Sequence, residues 1–500
     1  MQSISIIGVA LSLMCSASFA DSTTVVPEFE PCRIGRAPST LAAECTTVIV
    51  SFTHGLVPET PDKSGDLSDK AAPDKLALSI ARIRARTNQP AADPLTLLAG
   101  GPGQSAMDSW PQLYSAFYPT LGNRDIYLID QRGTGKSARM NCPDSAETTE
   151  LSLDLDEVRN ASHDCYDEQP YPTEWFTTSV AVRDLDAIRA ALGITQWNLY
   201  GVSYGSRVAL HYLRRYPDQT RSVILDAVVA PQKTIGPELP LHSQQALDAL
   251  FKRCASDKGC AEAFPDLAAK TDALFESLKQ NPQTVHFENI SLGTLDSMEF
   301  NDQHLASTVR LLSYSSYGTA ILPSMLYDAA TNNNLAPFTR QTAMQASQLG
   351  DSMATGMHSA VICTEDAPNI NSIPNREQLK DTYLGDFIID AMQASCEHWP
   401  PGVIDDDFHD PVISDIPVLA LSGAVDPITP PEYAEIALQS LSNARHIINA
   451  DQSHTQAPLG CMPSVMSQFI EMADPNNLNL ECLERLSAPA LFIDANGPLP

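Results

Sequence analysis

The sequence predicts an α/β fold, a mostly parallel sheet with an inserted helical cap. Three observations carry that expectation. Short apolar runs alternate with helical patterns between Pro94 and Asp226, the rhythm of strand–helix–strand units. From about Pro231 to Asp410 that rhythm is lost and the pattern is mainly helical. It returns at Ile416–Ser422, a buried strand followed by a helix near Pro431–Leu441 and a strand at His446–Asn449. The expected organisation is a signal peptide over 1–20, a first core segment over 21–230, the cap over 231–410 and a second core segment over 411–500.

Composition bounds the function. Five hundred residues exceed one usual core, so an insertion or a second domain is expected. A content of 43% hydrophobic and 18% charged residues marks a globular chain. The formal net charge of −30 argues against nucleic acid or an anionic membrane as partner. Met1–Ala20 has an apolar stretch at Ile6–Met14 and small residues at Ser18-Phe-Ala20, the pattern of a signal peptide, although its start lacks Lys and Arg. That leader implies a secreted or periplasmic protein. No later run is long and apolar enough to span a bilayer. Cutting after Ala20 removes Cys15 and leaves ten of the 11 cysteines. Neighbours form the pairs Cys32/Cys45, Cys142/Cys165, Cys254/Cys260, Cys363/Cys396 and Cys461/Cys482, so five bridges are expected, with connectivity open. No His/Cys spacing fits zinc, and no metal site is expected.

Along the chain, Thr46–Phe52 and Lys75–Ala85 read as strands around a polar loop over 57–74. Pro94–Leu98 is a short buried strand that runs into Ala99-Gly-Gly-Pro-Gly103, and Asp125–Asp130 is another. The stretch Gln131–Ser137 imitates a phosphate-binding loop, but Asp130 occupies the position where that motif requires its first glycine. Nucleotide binding is excluded. Ser179–Leu192 has a helical apolar face with Gly193 as its stop. In the cap, Pro240–Cys254, Leu267–Gln280, His304–Leu312 and Ala320–Ala330 read as helices.

The stretch Gln196–Leu210 carries the chemistry. Its apolar lead-in is a strand, Ser206–Tyr216 a helix, and Gly201-Val-Ser203-Tyr-Gly205 the turn between them. G-x-S-x-G alone is common by chance; on a strand-to-helix turn it exposes a serine at the sheet edge, near a helix N-terminus. A serine hydroxyl needs a base, and the base needs a carboxylate. Ser203, Asp426 and His454 occur in the order serine, acid, histidine, and both partners follow strands. Asp226 and Asp451 are rivals for the acid.

Leu98–Ser105, Asp130–Ser137, the Gly201–Gly205 turn, Ser422–Pro427 and Ser453-His454 together resemble the prolyl-aminopeptidase and tripeptidyl-aminopeptidase branch of the α/β-hydrolases, over about Cys45 to Leu491. Ala99 departs from it, where many relatives carry His before Gly-Gly-Pro-Gly. The resemblance implies a secreted exopeptidase without cofactor that releases short units from peptide N-termini. His454 would take the Ser203 proton, and the Gly101 and Tyr204 N–H groups would form the oxyanion hole. A free α-amine needs a negative partner, and Glu365 and Asp366 near the end of the cap are the expected anchor. A carboxylesterase on the same fold is the main alternative, since the same three residues cleave esters. A non-catalytic binding protein would lack one of them, and all three are present.

Overall fold

The computed structural model describes residues 26–56, 70–143, 154–289, 293–372, 376–494 and 496–498. The expected signal peptide over 1–20 and most of the loop over 57–74 lie outside them. The first strands are β1 (Glu30–Ile34), β2 (Leu41–Ser51), β3 (Lys75–Ile83), β4 (Leu95–Leu98), β5 (Ile126–Ile129), β6 (Trp197–Val202) and β7 (Thr220–Asp226). A hairpin of β8 (Gln283–Asn289) and β9 (Thr294–Phe300) forms a two-stranded sheet of its own. With β10 (Val418–Gly423) and β11 (Ala444–Asn449), the main sheet has nine strands in the order β1-β2-β3-β5-β4-β6-β7-β10-β11. From β5 to β11 every neighbour in that order runs parallel; β1, β2 and β3 join antiparallel. β1 has no apolar alternation to announce it, and a bridge from Cys32 to Cys45 fastens it to β2.

The central parallel strands are largely apolar on both faces because both are covered. Leu199, Val223 and Ala420 point into one core, while Tyr200, Ile224 and Leu419 point into the other. The first face is covered by α3 (Thr178–Ala191) and α4 (Tyr204–Arg215), which follow α1 (Ala106–Phe117) and α2 (Leu155–Glu168) in the chain. The opposite face is covered by α1, through Trp110 and Phe117, and by a helix late in the chain, Met462–Met472, through Val465 and Phe469. Registers align the parallel strands so that Leu98 faces Gly201 and Val202 faces Asp226. The same edge carries the loops after Asp226 and after β10, and crevices there are where open α/β sheets bind ligands.

The stretch expected as a cap contains α5 (Leu239–Ser256), α6 (Lys258–Ala263), α7 (Leu267–Gln280), the β8–β9 hairpin, α8 (Asp302–Leu312), α9 (Ser316–Asn332), α10 (Ala336–Ser352), α11 (Thr355–Glu365) and α12 (Phe387–Cys396). Its packing divides it. Leu247, Phe264, Leu278, Phe300, Leu326 and Phe338 build a core of their own, which Leu491 from the chain's last stretch also enters. Met357, Val361 and Trp399 instead join the main core. After β10 come α13 (Pro431–Leu438), β11 and α14 (Met462–Met472). No helix among the described residues is long and apolar enough to cross a membrane.

The Gln131–Ser137 stretch is an internal fixture. Asp130 accepts hydrogen bonds from the Ser105 hydroxyl at 2.6 Å, Met107 N–H at 3.2 Å and Lys136 N–H at 3.0 Å. The fully buried Arg132 forks onto Asp184 at 2.6 and 2.7 Å. The cysteines form five bridges, Cys32–Cys45, Cys142–Cys165, Cys254–Cys260, Cys363–Cys396 and Cys461–Cys482. Thiol titration of the denatured, unreduced protein should therefore find at most the single thiol of Cys15, and two or more per chain would contradict the five bridges.

Candidate active site

Backbone crowding builds the turn at Ser203. β6 ends at Val202 and α4 begins at Tyr204, so Ser203 turns the chain by itself, at φ 55° and ψ −126°. Such a backbone costs of order 1–3 kcal/mol for a residue with a Cβ, and its surroundings must enforce it. Its N–H donates to the Asp226 carbonyl at 2.9 Å and its own carbonyl accepts the Ser206 N–H at 2.9 Å. A Cβ on Gly205 would stand 2.1 Å from the Leu98 carbonyl oxygen, and one on Gly201 2.3 Å from that of Gly205. Only glycine lets strand and helix approach this closely. The Ser203 hydroxyl makes no capping bond to α4. It lines a cavity of ≈ 1210 Å³ between the sheet edge and the cap.

His454, Gly101 and Tyr204 line the same cavity. The His454 Nδ1–H donates to Asp426 Oδ2 at 2.8 Å, which leaves Nε2 as the acceptor. Asp426 has its other lone pairs filled by the Ile428 and Thr429 N–H groups at 2.9 and 3.0 Å and the Thr429 hydroxyl at 2.8 Å. Burial raises a carboxyl's pKa, but His454 and these donors outweigh it and hold Asp426 below its usual range. Burial likewise works against the imidazolium, yet the Asp426 charge and hydrogen bond prevail, and His454 is held above its ordinary 6.5. Among the described residues no hydrogen bond joins Nε2 to the Ser203 hydroxyl; contacts of this kind tighten when substrate binds.

The two rival acids do other things. Asp226 is fully buried and accepts the Gln456 and Ala457 N–H groups at 2.8 Å each and the Tyr200 hydroxyl at 2.8 Å. It holds the loop that carries His454. Asp451 is exposed. Neither the Gly101 nor the Tyr204 N–H has an acceptor among the described residues, and both residues line the cavity, so both can receive a developing oxyanion. His358 Nδ1 bonds the Pro102 carbonyl at 3.1 Å and Ala354 N–H bonds the Gly103 carbonyl at 2.9 Å, which fixes that loop to α11.

Glu365 and Asp366 are fully buried and lie off the cavity's described wall. Asp366 takes Arg207 Nη1 at 2.9 Å and the Ile235 N–H at 2.7 Å. Glu365 takes the Thr178 N–H at 2.6 Å and its hydroxyl at 2.9 Å, and burial pushes it up to about 7 against the pull of Arg207. Sequence reasoning missed Thr429, Asp226 in its loop-holding role, and Tyr314. The Tyr314 carbonyl accepts the His454 N–H at 3.2 Å and its ring meets the imidazole edge-on, centroids 5.2 Å apart. Tyr314 is far from both in sequence, and only Thr429, three residues after Asp426, carried a local cue.

A serine on a strained strand-to-helix turn, an imidazole held by a buried carboxylate and two free N–H groups can together perform acyl transfer. The model of the alpha/beta hydrolase fold family matches residues 93–457, and the chain belongs to that family. It is 31% identical over 150 residues to a tripeptidyl aminopeptidase of Streptomyces coelicolor, a match that covers 27% of this chain and 28% of that one. It is 29% identical over 162 residues to a proline iminopeptidase of Xylella fastidiosa, covering 32% of this chain and 40% of the relative. The chain thus aligns with less than half the length of either relative. A solved proline iminopeptidase of Mycobacterium smegmatis shares 17% identity at a TM-score of 0.37, over 80% of this chain and 96% of that one.

The histidine makes a pH prediction. A base must be neutral, so hydrolysis is lost as pH falls through the His454 pKa, and the acid limb of kcat/KM should lie above 6.5. Asp426→Asn removes its strongest upward pull and should move that limb down; Asp226→Asn, a weaker influence, should move it less. A pH–rate profile that shifts more with Asp226→Asn would transfer the acid's role to Asp226.

Proposed function

We propose that this chain is a secreted or periplasmic serine aminopeptidase that releases short units from peptide N-termini through an acyl-enzyme. The carrying observation is the meeting on one cavity wall of Ser203, His454 backed by the buried Asp426, and two N–H groups without an acceptor among the described residues. His454 Nε2 takes the Ser203 proton as the hydroxyl attacks the scissile carbonyl. The Gly101 and Tyr204 N–H groups bind the oxyanion, the imidazolium protonates the departing amine, and water then releases the acyl group. Peptidase action is supported by the names of the two relatives, and an oxidising compartment by the five bridges.

An exopeptidase must also meet the α-ammonium, because a buried unpaired charge costs several kcal/mol. On the described wall the acidic side chain is Asp108, at the start of α1 just beyond the oxyanion loop, and it is shared with Arg36 at 2.9 Å. It is therefore a nearer amine partner than Glu365 or Asp366, which stand behind the wall. The runner-up is a carboxylesterase, favoured by the apolar wall of Phe387, Ile388, Ala391 and Met392.

Ser203→Ala should lose on the order of 10⁶ in kcat while keeping its thermal unfolding. Matched amide substrates with free and acetylated N-termini, run beside a short-chain ester, separate the two readings. A collapse of kcat/KM on acetylation is expected; equal turnover of both amides would sink the aminopeptidase and promote the esterase.

A further inference from the structure

Among the described residues, Arg310 is the cation on the cavity wall that has no carboxylate. The wall carries, among the described residues, three Asp, Glu, Lys or Arg side chains, Arg36, Asp108 and Arg310, and the first two share an ion pair at 2.9 Å. Arg310 lies in the last turn of α8 and donates one Nη1–H to the Tyr314 hydroxyl at 3.1 Å. Its guanidinium carbon stands 5.7 Å from the centroid of that ring. The helix C-terminus and the ring both welcome the charge. Neither takes up the rest of its fork of donors, whose geometry matches a carboxylate. In a chain with 61 acidic and 31 basic residues, an arginine left without an acid on the wall of the catalytic cavity is poised for one that arrives with the substrate.

Its place says which part of the substrate. The Tyr314 ring neighbours both groups, with the Arg310 guanidinium carbon 5.7 Å and the His454 ring centroid 5.2 Å from its own centroid. The histidine gives its proton to the leaving group, so the leaving group extends on the imidazole side. We infer that Arg310 binds a carboxylate on the leaving-group side of the scissile bond. The preferred substrates are then short peptides with a free C-terminus, or peptides with an acidic residue just past the cleavage point. A residue spans about 3.5 Å, so a guanidinium that shares the Tyr314 ring as neighbour with the imidazole is in reach of a leaving group of one to three residues. The peptide identity rests on the proposed function; the charge preference does not.

The test compares kcat/KM on peptides with a free carboxylate against the same peptides amidated, and on amidated peptides with Glu against Gln after the scissile bond. Wild type should favour one of the charged forms by about tenfold or more, as for one charge-assisted contact. Which form is favoured distinguishes the terminus from the side chain. Arg310→Gln should bring that ratio close to one, and Arg310→Lys should retain part of it. If no peptide is cleaved, the aminopeptidase reading fails. The acetate esters of 3-hydroxybenzoate and 3-hydroxybenzamide then put the same question to Arg310 through the leaving group alone. Equal rates on charged and neutral members of every cleaved pair in wild type, or a preference that survives Arg310→Gln, would overturn the inference.

Discussion

The catalytic arrangement depends on one buried residue, Asp226. Its backbone carbonyl receives the Ser203 N–H, and its carboxylate receives the Gln456 and Ala457 N–H groups. The turn that exposes the serine and the loop that exposes the histidine are thus fastened to the last residue of one strand. A buried carboxylate is expensive unless its lone pairs are filled. Here two backbone donors and the Tyr200 hydroxyl fill them, although burial still pushes its pKa up. The arrangement works because β6, β7, β10 and β11 are successive parallel neighbours, so the turn after β6 and the loop after β11 leave the same edge of the sheet as the end of β7.

The cap braces the site as well as covering it. The segment after α8 and the first residue of α9 grip the histidine loop: Tyr314 O takes the His454 N–H, Ser313 O takes the Ser453 hydroxyl, and the Ser316 hydroxyl bonds Gln452 at 2.8 Å. The start of α11 and the residues before it grip the oxyanion loop through Ala354 and His358. Two loops that must hold their geometry to fractions of an ångström are therefore clamped from the sheet below and from the cap above, a general requirement of preorganised sites. The segment that grips the histidine loop also places the Tyr314 ring beside both His454 and Arg310.

What was legible in the sequence follows from how local each signal is. The turn around Ser203 shows because its glycines, its strand and its helix are contiguous. Asp426 and His454 show because each follows an apolar strand and chain order restricts the choice. Asp226 had to remain a rival, since nothing local tells a carboxylate that meets an imidazole from one that meets two backbone N–H groups. The helices α1 and α14 and the β8–β9 hairpin were not anticipated, and α1 and α14 pack against strands distant in the chain. The tie of Tyr314 to His454 is a long-range contact without any local signature.

The acidic pair Glu365–Asp366 shows the same limit from the other side. In sequence it reads as two charges available to a ligand; in the fold it ends α11 and braces the helix that follows the Ser203 turn. Arg207, four residues after Ser203 on α4, lies fully buried and is neutralised by Asp366. Tyr204, next to Ser203, hydrogen-bonds the Thr178 hydroxyl at 2.6 Å, and that hydroxyl meets Glu365. A single buried arginine opposite two carboxylates cannot keep both ionised cheaply, so Asp366 takes the direct contact and Glu365, 3.9 Å from the guanidinium, is pushed up to about 7. The pair thus holds the first turn of α4 from behind while the cavity wall in front stays nearly free of acid. Turned inward onto Arg207 and Thr178, these two carboxylates add no charge to the described cavity wall.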